Sequence, residues 1–138
     1  MSRVLEQRSQ ERPVVLSIND LHWADSASVE LLGALLDEGL EASFARHKAC
    51  GEALQAGLVE RGFELFAAEG HRLPELTTAW VPTDRLPAGV DEAGVRRLLL
   101  DRYGIEIGGG LGAYAGKVWR IGCMGHTARP ANVTLLLG

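Results

Sequence analysis

IEIGGGLGAYAGKVWRIGCMGHTARPANV (Ile105–Val133) is the stretch on which the fold turns. Ile105–Ile107 reads as a short strand running into glycines, and KVWRIGC (Lys117–Cys123) reads as a second strand. Arg129-Pro130 then opens a short helix through Leu137, with proline early in the helix, where its missing N–H does no harm. Side chains alternate along a strand, so Val118, Arg120 and Gly122 share one face and Trp119, Ile121 and Cys123 the other. Arg120 is thereby an isolated charge in an apolar strand, flanked by glycines that leave room for a ligand. Taken alone, it is most simply a solvated or salt-bridged strand residue, since charged side chains are mostly exposed.

Upstream, Asp91 caps a helix with Val95, Leu98, Leu99 and Tyr103 on its apolar side, and Gly104 stops it. FELFAA (Phe63–Ala68) and LTTAWV (Leu76–Val81) read as strands, and Pro82, Pro87 and Gly89 mark a loop. Apolar residues at Val29, Leu32, Leu36, Leu40 and Phe44 recur every three or four positions. With Ser26 as N-cap, Glu30 supporting the first turn and Gly62 as stop, they predict one helix of roughly 35 residues, unless Gly39 or Gly51 breaks it. PVVLSI (Pro13–Ile18) is a buried-strand pattern ended by Asn19-Asp20. The element order predicts an α+β fold: a mostly antiparallel small sheet with helices on one face, preceded by a long helix and an N-terminal strand.

Composition narrows the function classes. The chain has 138 residues, 46% hydrophobic and 23% charged, with a net charge of −4. That describes one globular domain and gives no basic stripe for nucleic acid. No apolar run approaches the ~20 residues that span a bilayer. The polar N-terminus has no signal-peptide h-region, so the expected location is the cytoplasm. Cys50 and Cys123 lack metal-ligand spacing and are expected as reduced thiols in or near the core. His47, His71 and His126 are too far apart to suggest a metal site and are expected to be structural.

The Ile105–Val133 stretch resembles the end of class V, pyridoxal-phosphate-dependent aminotransferases of the alanine/serine–glyoxylate type. There an I-E-I-x-x-G-L-G run leads into A-G-K-x-x-R-I-G-x-M-G. EGLEASFARHKACGEALQAGL and AAEGHRLPELTTAWVP look like the same family's helix into the small domain and its first strands. The resemblance covers residues 37–138 and implies a fold-type I small domain. It also implies that Arg120 holds the substrate α-carboxylate, for which a guanidinium's planar fork suits better than an ammonium. The reaction implied is two-stage amino transfer from an amino acid such as alanine or serine, through pyridoxal phosphate, to a keto acid such as glyoxylate. That chemistry needs a Schiff-base lysine. The chain's two lysines, Lys48 and Lys117, do not match the family's lysine motif. The expectation is therefore a truncated aminotransferase without the cofactor-binding domain: inactive alone, binding no pyridoxal phosphate by itself, and associating as a homo-oligomer.

Residues 12–36 depart from that pattern. RPVVLSINDLHWADSASVELLGALL resembles the second nucleotide-binding motif of LuxR/adenylate-cyclase-type P-loop ATPase regulators, which makes residues 1–36 an incomplete strand-helix segment. In such motifs acidic residues position Mg²⁺ and water at the γ-phosphate. Here Asn19 stands at the first acidic position beside Asp20, and no G-x-x-x-x-G-K-[ST] loop occurs in the sequence. The alternatives to the aminotransferase reading are a non-catalytic oligomerisation or interaction module and a remnant of an ATP-dependent regulator.

Overall fold

A computed structural model describes residues 37–138 together with Ser26, Val29, Glu30 and Gly33. The chain divides into two compact units, Met1–Ala45 and Arg46–Gly138. In the first, the described residues are helical up to 38, and Gly39 then adopts a φ of 78°. That left-handed conformation suits glycine and ends the helical run. A new helix, α1 (Leu40–Glu60), starts at once, with Ser43 N–H donating to Gly39 O at 3.0 Å. The single helix expected from Ser26 to Gly62 is thus divided at Gly39. The strand expected at Pro13–Ile18 and the Asn19-Asp20 turn lie outside the described residues.

Gly51, the other candidate break, stays inside α1. Its role is proximity: a Cβ there would collide with the Pro74 carbonyl oxygen and lie 2.6 Å from Pro74 Cα. The helix therefore rests directly on the backbone entering the first strand.

In the second unit, β1 (Leu76–Trp80), α2 (Glu92–Tyr103), β2 (Gly108–Gly109), β3 (Val118–Gly122) and α3 (Pro130–Leu137) follow in order. The sheet is antiparallel in the order β1-β3-β2. The Asp91 carboxylate accepts from Gly94 N–H at 2.8 Å, and Gly104 closes α2 in the left-handed region. Both ends thus fall where capping chemistry places them.

One face of the sheet forms the core. Trp119, Ile121 and Cys123 are buried against Cys50, Leu54 and Leu58 of α1 and Val133 of α3, and Ala79 of β1 is buried too. Val95 and Leu99 of α2 pack onto the same cluster, so all three helices lie on one side. This is the α+β layer that the element order predicts. Cys50 and Cys123 are buried free thiols, and burial, with Cys50 alongside, pushes the Cys123 thiol up.

Two expected strands differ. Phe63–Ala68 pairs with β1 only through Leu65 opposite Ala79, with Phe66 N–H to Thr78 O and Trp80 N–H to Glu64 O. Beyond Phe66 the chain turns toward Gly70, at a φ of 81°, and Arg72 Nε binds Ala67 O at 3.0 Å. Ile105–Ile107 is not a strand either. The N–H groups of Gly104 and Ile105 still cap α2 through Leu100 and Leu99 O, and pairing begins three residues after Ile105, at Gly108. Among the described residues no helix is long and apolar enough to cross a membrane.

Candidate functional site

The opposite face of the sheet carries Arg120. Register puts Thr78 of β1 on one side of it and Gly108 of β2 on the other. Arg120 is half-buried, while the core-face residues beside it, Trp119 and Ile121, are 6% and 7% exposed. Its Nε–H donates to Gly109 O at 2.8 Å, which fixes the plane of the guanidinium. The glycine at 108 lets that group lie close: a Cβ there would stand 3.4 Å from Nη2 and 3.6 Å from Nε. Among the described residues no carboxylate forms a salt bridge with Arg120, and its two terminal nitrogens have no hydrogen-bond acceptor. A guanidinium held by Nε with both Nη groups open is set to take a carboxylate end-on, through two parallel hydrogen bonds.

The rest of this face is closed off from Arg120. Val118 is only 3% exposed, covered by the loop of Gly110–Tyr114. A Cβ at Gly110 would meet Val118 Cγ2 at 3.0 Å and collide with the Tyr114 carbonyl. Phe66, Trp80 and Tyr114 stack in a tilted cluster with centroids 4.9 to 6.2 Å apart. At Gly110 the glycine-rich run is therefore a close-packing device. A cavity of about 220 Å³ lies on the other side, lined by Leu54, Ile107, Ile121, Cys123, Asn132 and Val133. Arg120 does not line it.

The loop following β3 is tied to α1. Arg46 Nη1 donates to Gly125 O at 2.9 Å and to Ala128 O at 2.7 Å. His47 Nε2 accepts from Gly125 N–H at 2.7 Å, a second tie between α1 and this loop. His126 Nδ1 lies 2.9 Å from Arg129 Nη2. Among the described residues no group of three or more His, Cys, Asp or Glu could hold a metal. Lys48 is an exposed surface residue 3.9 Å from Glu52, and Lys117 is exposed at the edge of β3.

Sequence reasoning missed a second arginine near the site. Arg96 of α2 holds Glu92 at 2.8 Å through Nε and 3.3 Å through Nη2. The hydrogen bond to Glu92 raises its already high pKa. Its guanidinium lies against Gly109, 3.3 to 3.4 Å from where a Cβ would stand. The i,i+4 spacing of Glu92 and Arg96 was a usable signal for the ion pair. Nothing in the sequence pointed to its contact with the strand beside Arg120.

No family model matches the chain. Among curated proteins it is similar to (S)-ureidoglycine–glyoxylate transaminase of Bacillus subtilis, with 41% identity over 103 residues, 75% of this chain and 24% of the relative. It is also similar to pyridoxamine–pyruvate transaminase of Mesorhizobium japonicum, with 37% identity over 123 residues, 89% of this chain and 29% of the relative. Among solved structures, alanine–glyoxylate aminotransferase from Nostoc sp. superposes with a TM-score of 0.69 at 42% identity, covering 78% of this chain and 27% of that one. The chain thus spans about a quarter of the length of the relatives it matches. These likenesses give no support to the ATPase-regulator resemblance of residues 12–36, most of which lie outside the described residues.

Proposed function

We infer that residues 37–138 are the small domain of a class V transaminase and that Arg120 grips the α-carboxylate of its amino-acid and keto-acid substrates. One observation carries this reading: a guanidinium oriented through Nε, with its terminal nitrogens open and no carboxylate paired to it among the described residues. The relatives are transaminases, two of them named for glyoxylate and one for pyruvate, and both of those keto acids bear a carboxylate. The role of Arg120 is to orient the substrate, with no proton moved.

Transaminases draw their chemistry from pyridoxal phosphate, an electron sink that needs a lysine partner. The lysines here do not fit it. Lys48 is spent on a helix surface beside Glu52, and Lys117 lies exposed outside the cavity. The chain therefore supplies the carboxylate grip, and cofactor chemistry depends on another stretch of polypeptide. By itself it is expected not to transaminate alanine or serine with glyoxylate.

The test is a titration of pyruvate and L-alanine into the isotope-labelled chain, followed by NMR. Saturable shifts at Arg120 and Gly109 that vanish in Arg120→Gln are expected. Equal binding by Arg120→Gln would end the reading.

The second reading is association with a copy of the same chain. Phe44 is 57% exposed, and Leu73 and Leu111 are 60% and 67% exposed, apolar side chains that a contact between copies would cover. Of the apolar stripe expected on the long helix, Leu32 and Leu36 lie outside the described residues. Light scattering at micromolar concentration is expected to show a dimer or larger, weakened by Phe44→Glu. A compact monomer at every concentration would refute it.

A further inference from the structure

β2 is two residues long, both of them glycine, and lies at the edge of the sheet. Such a segment has little of its own to hold it in place. Glycine loses the most backbone freedom on ordering, and a two-residue edge strand has few hydrogen bonds to offset that loss. Yet Gly109 O is the acceptor that fixes Arg120. Whatever holds β2 in place also aims the carboxylate grip.

The two arginines sit over neighbouring glycines of this strand. Arg120 lies over Gly108, and Arg96 fills the space of the side chain that Gly109 lacks. Adjacent strand residues face opposite sides, so β2 is held between two guanidinium groups. They differ in charge balance. Arg96 is neutralised by the two oxygens of Glu92, whose side chain is 14% exposed, whereas Arg120 has no such partner among the described residues. Glu92 is tied in turn to β3, because the indole Nε1–H of Trp119 points at its backbone carbonyl at 3.4 Å. Trp119 is the register partner of Gly109.

We propose that the Glu92–Arg96 pair is a positioning device for substrate binding: the planar, neutralised guanidinium of Arg96 presses on Gly109 and keeps its carbonyl aimed at Arg120 Nε. This rests on the reading of Arg120 as the carboxylate grip. Neither Glu92 nor Arg96 touches the substrate. Their effect passes through a single peptide group, and neutralising Arg96 leaves Arg120 as the cation that an incoming carboxylate meets.

The experiment follows the Arg120 Nε–H resonance in the full chain, assigned by its loss in Arg120→Lys, and measures its hydrogen-exchange protection. In Arg96→Gln that protection is expected to fall about tenfold, the factor that one net hydrogen bond carries. The Ile121 amide, paired to β1, is expected to keep its protection. Glu92→Gln, which leaves Arg96 in place but unneutralised, is expected to give a smaller fall of about threefold. Protection in Arg96→Gln equal to the parent's would overturn the proposal, as would a fall matched by the Ile121 amide, which would indicate general loosening. A parent Nε–H that exchanges too fast to detect would overturn it too, since Gly109 would then not be holding Arg120. The carboxylate reading is judged separately, by whether pyruvate shifts the Arg120 resonance in the parent chain.

Discussion

The two faces of one three-stranded sheet have been put to opposite uses. On one, Trp119, Ile121 and Cys123 are sealed under three helices. On the other, Thr78, Arg120 and Gly108 form a row that keeps a guanidinium half open. The strand between them alternates residue by residue, so the half-buried Arg120 stands between two buried core residues, Trp119 and Ile121. What separates them is parity, and a substitution at one position should leave the neighbouring function untouched.

The strongest way to break that separation is from the core side. Ile121→Ala should cost about 2–5 kcal/mol of unfolding free energy by denaturant titration, the range for emptying a packed core site. Carboxylate affinity per folded molecule should stay unchanged, and a matching loss of affinity would show that the faces are coupled. From the other side, Arg120→Gln should remove about 1.5–3 kcal/mol of carboxylate binding, the worth of hydrogen bonds to a charged group. Its melting temperature should hold, because the side chain is half exposed and pairs with no carboxylate among the described residues. Gly110→Ala probes where the open face is closed off. A Cβ there collides with backbone, so a loss of about 1–3 kcal/mol is expected.

The smallest effect concerns pH. Burial raises the Cys123 thiol, so the folded state holds its proton longer than the unfolded chain. The contribution is intact below the thiol's ordinary range and is lost as pH rises toward the raised value. Stability should therefore decline more steeply above neutral pH in the parent than in Cys123→Ala. Parallel pH profiles for the two proteins would contradict this.

How much of this was legible in the sequence depended on how local the cause was. The caps at Asp91 and Gly104 and the early Pro130 were readable because capping is settled within a few residues. The alternation about Arg120 was readable for the same reason. Phe63–Ala68 looked like a full strand because propensity says nothing about how far a partner extends. There β1 accepts only a bridge before the chain turns toward Gly70. Of the two glycines that might have divided the long helix, Gly39 did so and Gly51 did not. What Gly51 serves is a close approach to Pro74, twenty-three positions away. The contact between Arg96 and Gly109 was hidden likewise, since it joins a helix to a strand that the sequence placed at Ile105–Ile107.

The meeting of Gly51 with Pro74 has a consequence for anyone who redesigns this domain. The two positions behave as a single mechanical part, a seat in which the bare flank of a helix rests on the peptide backbone of Pro74. A grafted helix must bring its own hydrogen-only side chain to that point. Otherwise the backbone entering β1 is lifted, and with it the row that runs through Arg120.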